Sequence, residues 1–408
     1  MIAVEEDTRP VYTAKTTPAV LASYAEAIER ARALGPTLGE RATGTERLRR
    51  LPDENVADLL ASGLYGLMVP KRWGGSELGA ETMIDVTIEL GSHCSSTGWV
   101  HMLWTAHMWL LALFPERAQA ELWANPNTLA SSVVSTVGDV VPVPGGYTWT
   151  GRGFFSSGVD HCNWLTAAVP VKREDGQPER RWLLIPREDF TIVDDWHVVG
   201  LKGTGSKTIE LNDVFIPDYR TVAWREIEEG ESPGKAIHAN PMYGAISSAN
   251  FTAAMAAPAV GAARGFLRTY FERLKSKSSN VDDGLTVNFA RWAAAAAEVD
   301  SVHALTLQNA NRYSRIPARQ VSSEERAKCG RDQAFTAQTC RKVANYLYEE
   351  GGGTGLYEKS DMQRFWRDAN GAAAHHGLTW DWHAVLYART MLGLPVATPG
   401  SANTLVRS

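Results

Sequence analysis

Apolar residues recur at helical spacing through the first third of the chain. Among charged neighbours, they follow one another at intervals of three or four: Ile28, Ala31, Leu34 and Leu38. This spacing predicts an amphipathic helix. Further helices are predicted at 81–90 and 95–114, and Pro52 and Gly63 are the start and stop signals of another. Because 95–114 is apolar on nearly every face, it is expected to run through the middle of a helical domain.

The pattern changes near Thr136, where Val, Thr, aromatic residues, Gly and Pro replace the helical spacing. Short runs of strand composition follow, separated by turn residues: 164–171, 180–188, 190–201 and 207–217. Such runs are typical of a compact β domain. Helical composition returns after the polar stretch 228–235, and 334–348 and 368–392 are each predicted as one helix.

This order predicts a mainly α-helical protein with a β insert. The chain divides into a flexible arm, an N-terminal helical domain, a middle β domain, a C-terminal helical domain and a tail: 1–18, 19–136, 137–227, 228–396 and 397–408. The two helical domains are expected to share packing.

Composition and charge exclude several classes of protein. The 408 residues carry a net charge of −5, so no basic excess is present to hold nucleic acid or an anionic membrane surface. The most apolar stretch, 103–114, is too short to cross a bilayer, and 1–17 lacks the apolar run of a secretory signal. The four cysteines are scattered, without disulfide-framework or metal spacing. We expect a cytoplasmic protein without nucleic-acid or membrane partners.

Three glycine- or serine-rich strings were considered as ligand sites. GLKGTGSKT (200–208) has Ser206 where a phosphate-binding loop requires lysine, so a turn is favoured. GGGTG (351–355) follows a helix, and a helix cap is favoured over a loop that approaches a cofactor phosphate. FFSSGVDHCNW (154–164) places two hydroxyls and Gly158 at a strand end, which suits a flat heterocycle as well as a hairpin turn.

Histidine and tryptophan are concentrated in two short strings. WVHMLWTAHMW (99–109) has two histidines and three tryptophans, and HHGLTWDWH (375–383) repeats that composition. If the second string is helical, His375 shares a face with Thr379. Buried histidines usually serve packing, and a polar-tipped aromatic pocket is the rival interpretation. The histidines lack the carboxylates of a metal triad, so a metal site is disfavoured.

Four motifs occur in the order found in acyl-CoA dehydrogenases, and the chain resembles that superfamily from about residue 20 to 396. They are GLMVPKRWGG (66–75), GLKGTGSKTIELNDVFIPDYRTV (200–222), AAPAVGAARGFLRTY (256–270) and GGGTGLYEKSDMQRFWRDANG (351–371). The resemblance implies an N-terminal helical domain, a middle β-barrel-like domain and a C-terminal four-helix bundle. It also implies flavin between the domains and a homotetramer.

Departures from the dehydrogenase pattern point to one branch of the superfamily. Dehydrogenases use a carboxylate base, but His376 stands eight residues after Asp368 and no acid occurs around 250–251. The departures resemble the oxygenase components of two-component flavin-dependent monooxygenases, the p-hydroxyphenylacetate hydroxylase group. The similar strings are HMWLLALFPERAQAELW (107–123), FSSGVDHCNW (155–164) and AHHGLTWD (374–381).

This resemblance implies three groups of site residues. The catalytic group is His375, His376, His107 and Ser156, with a one-residue ambiguity between the adjacent histidines. The flavin contacts are Ser132, Ser156, Ser157, Trp164, Lys275, Lys277, Gly352 and Gly353, with Ser156 or Ser157 near flavin N5 and the lysines near phosphate. The substrate-pocket group is His101, Trp104, Trp109 and Trp380.

The implied activity is that of an oxygenase that receives reduced FMN or FAD from a separate NAD(P)H:flavin reductase. It uses O₂ through a flavin C4a-hydroperoxide to hydroxylate a small aromatic substrate, phenolic or polycyclic, with His375 as the base for its hydroxyl. N- or S-oxygenation within the same superfamily, which needs less help from a base, is the alternative. An acyl-CoA dehydrogenase or oxidase, and a flavin-binding scaffold without chemistry, are further rivals.

Overall fold

The computed structural model describes residues 18–172, 177–277 and 284–396. Almost all of the predicted arm and the whole predicted tail lie outside the described residues. The helices that precede the sheets are α1 (Tyr24–Leu48), α2 (Asp53–Ser62), α3 (Ala80–His93), α4 (Ser95–Leu111) and α5 (Glu116–Leu122). The signals predicted for α2 are confirmed, because Pro52 caps its start and Gly63 ends it with a φ of +75°.

Helix α4 runs through the core, as its apolar sequence predicts, and every one of its residues is buried. It approaches its neighbours through glycines. A Cβ added at Gly98 would lie 2.6 Å from Cα of Gly91 in α3, and one at Gly261 would lie 3.1 Å from that same atom. The helices can pack this closely only because all three positions lack a side chain.

The β domain is a sandwich of two four-stranded sheets. The strands are β1 (Ala130–Val133), β2 (Ser135–Val143), β3 (Gly146–Ser156), β4 (Trp164–Lys172), β5 (Pro178–Pro186), β6 (Thr191–Val193), β7 (Lys207–Pro217) and β8 (Thr221–Ala223). Their orders are β1-β4-β5-β8 and β2-β3-β7-β6, with β1 parallel to β4. The first strand precedes residue 137, where the sequence analysis begins the β domain. Its small residues lack the alternation that marks a strand.

The sheet that contains β1, β4 and β5 is buried on both faces. Leu165 and Leu183 point into the sandwich core, whereas Ala168, Trp182 and Leu184 pack with the helical core. Two-sided burial explains the nearly continuous buried runs in these strands. One face of this sheet is therefore available to meet α4 and the C-terminal helices.

Helices α6 (Trp224–Glu229) and α7 (Ser247–Asn250) lead into the C-terminal bundle. Its helices are α8 (Ala257–Lys277), α9 (Gly284–Tyr313), α10 (Ser323–Glu350) and α11 (Asp361–Ala373), with α12 (Trp380–Met391) packed on α10. Helix α8 also packs on α3, which joins the bundle to the N-terminal helices. This mainly α-helical fold with a β insert confirms the predicted fold class.

The single helix predicted at 368–392 is wrong. Helix α11 ends at Ala373, a short 3₁₀ turn covers His376–Leu378, and α12 begins at Trp380. The backbone N–H of Gly377 is bound by the His375 side chain, so the turn is stabilised by a local contact that competes with helical hydrogen bonding. His375 and Thr379 therefore do not share a helix face.

Within the described ranges, no helix has both the length and the apolar character needed to cross a lipid bilayer. The four cysteines predicted to be unpaired are buried free thiols.

The close approach of α3, α4 and α8 makes Gly98→Ala destabilising. The new methyl would meet backbone atoms, which cannot move aside as a flexible side chain would, and overpacking of this kind costs about 1–3 kcal/mol. Urea or thermal unfolding measures the change. Gly44→Ala is the matched control, because Gly44 lies in α1 with nothing within 4 Å of the added Cβ. It should leave stability unchanged or raise it. Equal stability of the two variants would contradict the packing argument.

Candidate active site

One stripe of α4 faces the β domain and the turn between α11 and α12. Trp99, Leu103 and His107 recur every four residues, so they lie along one side of the helix. Trp99 and Leu103 keep 6% and 8% of their surface exposed in an otherwise sealed helix. Trp99 and His107 are eight residues apart, about 12 Å along the helix axis. The candidate site is therefore elongated, with one end at each of these two residues.

At one end, His107 is held by hydrogen bonds at both ring nitrogens. Nδ1 lies 2.7 Å from the carbonyl oxygen of Ala130, and Nε2 lies 2.8 Å from Oγ of Ser132. Because a carbonyl oxygen only accepts, Nδ1 carries the proton of the neutral ring and Nε2 accepts the hydroxyl proton of Ser132. Burial lowers the pKa of His107 to about 4, so the ring is neutral at neutral pH. Partly exposed Ser132 keeps lone pairs that can accept a proton from a ligand.

At the other end, a chain of hydroxyl groups runs from α4 into the β domain. Trp99 Nε1 donates to Oγ of Ser157 at 3.1 Å, and Ser157 Oγ lies 2.7 Å from Oγ of Ser206. Ser206 Oγ lies 2.7 Å from Oγ1 of Thr204, and Thr204 donates to the carbonyl of Leu201 at 2.9 Å. The chain is buried along its whole length.

The direction of each hydrogen bond in this chain follows from counting protons. Thr204 has one hydroxyl proton, which Leu201 accepts, so Ser206 donates to Thr204 and Ser157 donates to Ser206. Ser157 Oγ therefore has no proton left for the site and keeps one lone pair. It can accept a hydrogen bond from a ligand N–H or O–H.

The far end of the chain depends on Asp368. Its Oδ1 accepts the backbone N–H of Leu201 at 2.6 Å, and Leu201 has the left-handed φ of +53° that is uncommon for a branched residue. The neighbouring Arg367 donates to the carbonyl of Val199 at 2.6 Å and pairs with Glu46 at 2.8 Å. Arg367 and Asp368 therefore connect α11 to the loop before β7 and, through Glu46, to α1. Complete burial raises the pKa of Asp368 to about 6.

Ser156 and Ser157 have different surroundings. Ser131 donates to the carbonyl of Ser157 at 2.8 Å, so in its 2.8 Å contact with Ser156 the donor is Ser156. Ser156 is fully buried, and the preceding Phe155 has a φ of +65° at a bulge in β3. This strained backbone turns Ser157 toward α4. Of the two serines considered for flavin N5, Ser157 is the one that contacts Trp99.

His375 lies in the turn between the last two helices. Its Nδ1 accepts the backbone N–H of Gly377 at 3.1 Å, so Nε2 carries the proton of the neutral ring. His383 donates to the carbonyl of Gly377 at 2.9 Å and braces the turn from α12. The ring centroid of His375 lies 5.6 Å from that of Trp99 and 4.4 Å from that of His376. Burial, and secondarily His376, lowers the pKa of His375 to about 3. His375 nevertheless keeps some solvent exposure, as a side chain on the wall of a recess does.

Aromatic rings connect the two ends of the site. The ring of Phe251 lies 5.5 Å from that of His107 and 6.4 Å from that of Trp182. Trp182 in turn stacks on Trp224 at 5.4 Å. Residues 252–256, which follow Phe251, contact the turn at 376–378. The C-terminal histidines and the His107 end are therefore connected through the segment that follows Phe251.

Three residues expected in the substrate pocket are packed among core side chains. His101 hydrogen-bonds to the carbonyl of Leu64 at 2.9 Å, and Trp109 donates to the carbonyl of Met242 at 2.8 Å. Trp104 is fully buried, and all three side chains are at most 1% exposed. They are displaced from the stripe of Trp99, Leu103 and His107 by one or two residues, which turns them to other faces of α4.

The other two tryptophans expected in the site, Trp380 and Trp164, lie at the starts of secondary-structure elements. Trp380 begins α12, is 37% exposed and packs against Phe335 of α10 with ring centroids 6.1 Å apart. Trp164 begins β4, is partly buried, and has the Arg220 guanidinium 5.2 Å from its ring centroid. These contacts place neither ring against His107 or His375.

Three residues expected to contact the flavin phosphate lie near the C-terminal end of α8. They are Lys275 of α8 itself and Gly352 and Gly353 of the glycine loop after α10. Arg273 donates to Thr354, which joins this end of α8 to the glycine loop. Lys275 lies about 27 Å along α8 from Ala257, the residue that follows the segment beside the histidine turn. The side chain of Lys277 lies outside the described part of the chain. These residues are therefore distant from the ring-binding end within one chain.

The donors and acceptors fit a reduced flavin ring better than a metal. Ser157 offers an acceptor suited to the N5–H of a reduced isoalloxazine, and Nε2–H of His375 offers a donor at the same end. Trp99 and Leu103 supply the flat apolar wall that such a ring requires. In the part of the chain that the structure covers, no group of three or more His, Cys, Asp or Glu side chains is arranged to hold a metal ion.

Several residues of this site were missed from the sequence. Trp99, Thr204, Ser206 and Ser131 were not singled out. The four-residue spacing of 99, 103 and 107 was a usable signal. Ser206 breaks a phosphate-loop pattern in the sequence, and nothing local to it indicates a hydroxyl chain, because its partners Ser157 and Thr204 are brought to it by the fold.

Comparison with known proteins agrees with this fold. Family models described as the acyl-CoA dehydrogenase N-terminal and C-terminal domains match residues 31–128 and 253–380. The chain is 34% identical over 380 residues to a pigment production hydroxylase of Rhodococcus sp., covering 92% of this chain and 98% of the relative. It is 32% identical over 395 residues to the oxygenase component of an FADH₂-dependent resorcinol hydroxylase of Rhizobium sp., covering 92% and 96%.

A solved structure of the HsaA monooxygenase from Mycobacterium tuberculosis superposes with a TM-score of 0.88 at 33% identity, covering 92% of this chain and 99% of that one. The fold and the domain matches define a protein of the acyl-CoA dehydrogenase superfamily. Within it, the chain belongs to the flavin-dependent monooxygenases, as the oxygenase component of a two-component system that uses reduced flavin and O₂. The resemblance stated from the sequence is confirmed.

Asp368 should control stability in a pH-dependent way. Its folded-state pKa of about 6 lies above the unfolded value of about 3.9, so its stabilising contribution is present below pH 4 and is lost as pH rises through 6. Asp368→Asn keeps an acceptor for Leu201 without ionising. Relative to wild type, its free energy of unfolding should therefore rise across this window, by up to about 3 kcal/mol.

Asp368→Ala is the paired variant for this measurement. It leaves the Leu201 N–H without an acceptor, so it should be less stable than wild type by about 1–3 kcal/mol below pH 4, where the carboxyl is protonated. Denaturant unfolding at a series of pH values tests both variants. A difference between Asp368→Asn and wild type that stays constant with pH would show that Asp368 does not titrate in this range.

Proposed function

We propose that the enzyme hydroxylates a phenolic aromatic substrate whose hydroxyl group is bound by Ser132 and His107. The observation that carries this proposal is the line of hydrogen bonds from Ser132 through His107 to the Ala130 carbonyl. It presents an oxygen acceptor, backed by a neutral base, at a partly exposed position. The relative from Rhizobium is named a resorcinol hydroxylase, and resorcinol is a phenol, which supports this class of substrate.

The reduced flavin, FMN or FAD, would be held at the opposite end by Ser157 and His375. When bound, it supplies the electrons that reduce O₂ and delivers one oxygen atom to the substrate ring. Ser157 accepts the hydrogen bond from N5–H and so keeps that proton in place. The buried stripe of Trp99 and Leu103, closed by Phe251, excludes water from the reacting atoms.

Proton removal from the substrate passes through Ser132. The phenol donates to Ser132 Oγ while Ser132 donates to Nε2 of His107, so a proton can move along both bonds without any group changing position. A free His107 with a pKa of about 4 is a weak base. A phenolate formed beside it would raise that pKa, because an opposite charge nearby stabilises the imidazolium. The developing phenolate makes the ring carbon nucleophilic.

His375 is better suited to donating a hydrogen bond than to acting as the base. Gly377 occupies its Nδ1 lone pair, and the neutral ring then carries its proton on Nε2. The sequence analysis named His375 as the base for the phenol. The tautomer supports instead a donor role beside the flavin and O₂, with His107 and Ser132 as the acceptor of the phenol proton.

Two partners belong to this proposal. A separate NAD(P)H:flavin reductase would supply the reduced flavin, as the description of the relatives as oxygenase components suggests. A homotetramer would explain why Lys275 and the glycine loop lie about 27 Å along α8 from the ring-binding end. In an assembly, the phosphate end of one site could be completed by a second copy.

Replacing His107 should uncouple flavin oxidation from hydroxylation. Asn at this position can keep the hydrogen bond to Ala130 but removes the Nε2 acceptor, so hydroxylation at neutral pH should fall about 10²–10⁴-fold. Reduced flavin should still be consumed, with H₂O₂ released. Raising the pH toward the phenol pKa of about 10 should restore the rate about tenfold per pH unit, because the substrate then ionises unaided.

The measurement is product and H₂O₂ formed per reduced flavin, with His375→Ala assayed in parallel and His197→Ala as a matched control at an exposed histidine. Loss of product in His375→Ala should not be rescued by high pH, since a donor rather than a base is missing. Rescue of His375→Ala but not of His107→Asn would return the base role to His375. Wild-type product yield in His107→Asn would overturn the proposed function.

A further inference from the structure

Arg180 lies on β5 on the face that meets the helical domains. Side chains alternate along a strand, so Arg180 shares a face with Trp182, whereas Arg181 points to the other side. Arg181 has a counter-ion there, with an ion pair to Glu179 at 2.6 Å and a hydrogen bond to Thr221. The two neighbouring arginines therefore have contrasting surroundings.

The guanidinium of Arg180 has few partners for its five N–H groups. It donates to the carbonyl of Val134 at 3.3 Å and is centred 4.5 Å from the ring of Trp224. Within the described ranges, no carboxylate forms an ion pair with it. Burial lowers the pKa of Arg180 without any compensating acid. A half-buried cation that lacks a counter-ion is costly unless a ligand supplies the negative charge.

Its position connects Arg180 to the substrate end of the recess. Val134 lies two residues after Ser132, about 7 Å along an extended chain. Trp224, beneath the guanidinium, stacks on Trp182, which contacts Phe251 beside His107. Burial lowers the pKa of His376, and the charge of Arg180 lowers it further. Arg180 thus belongs to the same aromatic enclosure as the proposed hydroxyl-binding pair.

We propose that Arg180 is a specificity-determining residue that binds a carboxylate on the substrate, at the end of the molecule opposite its phenolic hydroxyl. This inference rests on the proposed function and adds the substrate class: a hydroxyaromatic acid. Arginine suits the task because its planar fork can donate two parallel hydrogen bonds to a carboxylate. The Trp224 ring holds the guanidinium plane in place, so little freedom is lost on binding.

Binding of a matched pair of phenols tests the inference directly. p-Coumarate and p-coumaramide have the same size and the same hydroxyl group, and only the first carries a negative charge. Each is titrated into the anaerobic enzyme with reduced FMN by calorimetry. The wild type should bind p-coumarate at least about tenfold more tightly, a preference that Arg180→Gln abolishes and that weakens as salt concentration rises.

Arg181→Gln is the control, since it removes the same charge from the adjacent position on the opposite face of β5. It should keep the preference, and Arg180→Lys should keep part of it. Equal affinity for the two phenols, binding of neither, or a preference that survives in Arg180→Gln would each overturn the inference.

Product analysis separates this outcome from failure of the proposed function. Hydroxylation of p-coumaramide by the wild type shows that the chemistry proceeds without a carboxylate on the substrate, so the proposed function stands even where the affinity preference is absent. If wild type binds p-coumarate through Arg180 but hydroxylates neither compound, the proposed function fails while the carboxylate contact stands.

Discussion

Burial of α4 is the constraint from which the properties of the site follow. A helix with no exposed side must satisfy its polar side chains internally, because an unpaired buried donor or acceptor is expensive. For His107 the only arrangement compatible with both neighbours puts its proton on Nδ1, toward Ala130, and leaves Nε2 to accept from Ser132. For Trp99 the indole N–H goes to Ser157, whose own proton is directed along the hydroxyl chain because Thr204 at its far end donates to the Leu201 carbonyl. Proton positions are thus set by packing before any ligand binds.

The same helix spaces the two halves of the chemistry. Acceptors for a reduced flavin ring lie at the Trp99 end, and acceptors for a phenol lie about 12 Å along the axis at the His107 end. Each end is completed by two other parts of the chain: the β domain contributes Ser157 and Ser132, and the C-terminal domain contributes the His375 turn and Phe251. Asp368 in α11 also connects the C-terminal domain to the loop before β7, because it fixes Leu201 in a left-handed conformation. An enzyme that must keep a reactive oxygen species from water benefits from a site assembled by three packed segments.

Much of the fold could be predicted from periodicity and composition. The apolar helix at 95–114 and the start and stop signals of α2 have local causes, so they were recognised. The helix predicted through 374–379 failed because the interruption comes from a side-chain hydrogen bond and a brace from His383, neither of which alters the hydrophobic period.

The same limit applies to the site, where local motifs could be recognised but contacts between distant residues could not. His107, Ser132, Ser157 and His375 were named from motifs, but the tautomers and the Ser206–Thr204 chain depend on contacts between residues distant in sequence. Composition does not say which face of a buried helix borders a ligand, so the pocket role expected for His101, Trp104 and Trp109, which lie among core side chains, stays a prediction.

The central claim is that Ser132 and His107 accept the proton of a bound phenol. The most direct measurement uses p-nitrophenol, whose phenolate absorbs at longer wavelength than the phenol, added to anaerobic enzyme with reduced flavin at a pH well below the probe's own pKa. The account predicts that the phenolate band appears when the probe binds wild type and is lost in Ser132→Ala and His107→Asn. A bound probe that remains a phenol in wild type, or a phenolate band of undiminished intensity in both variants, would contradict it.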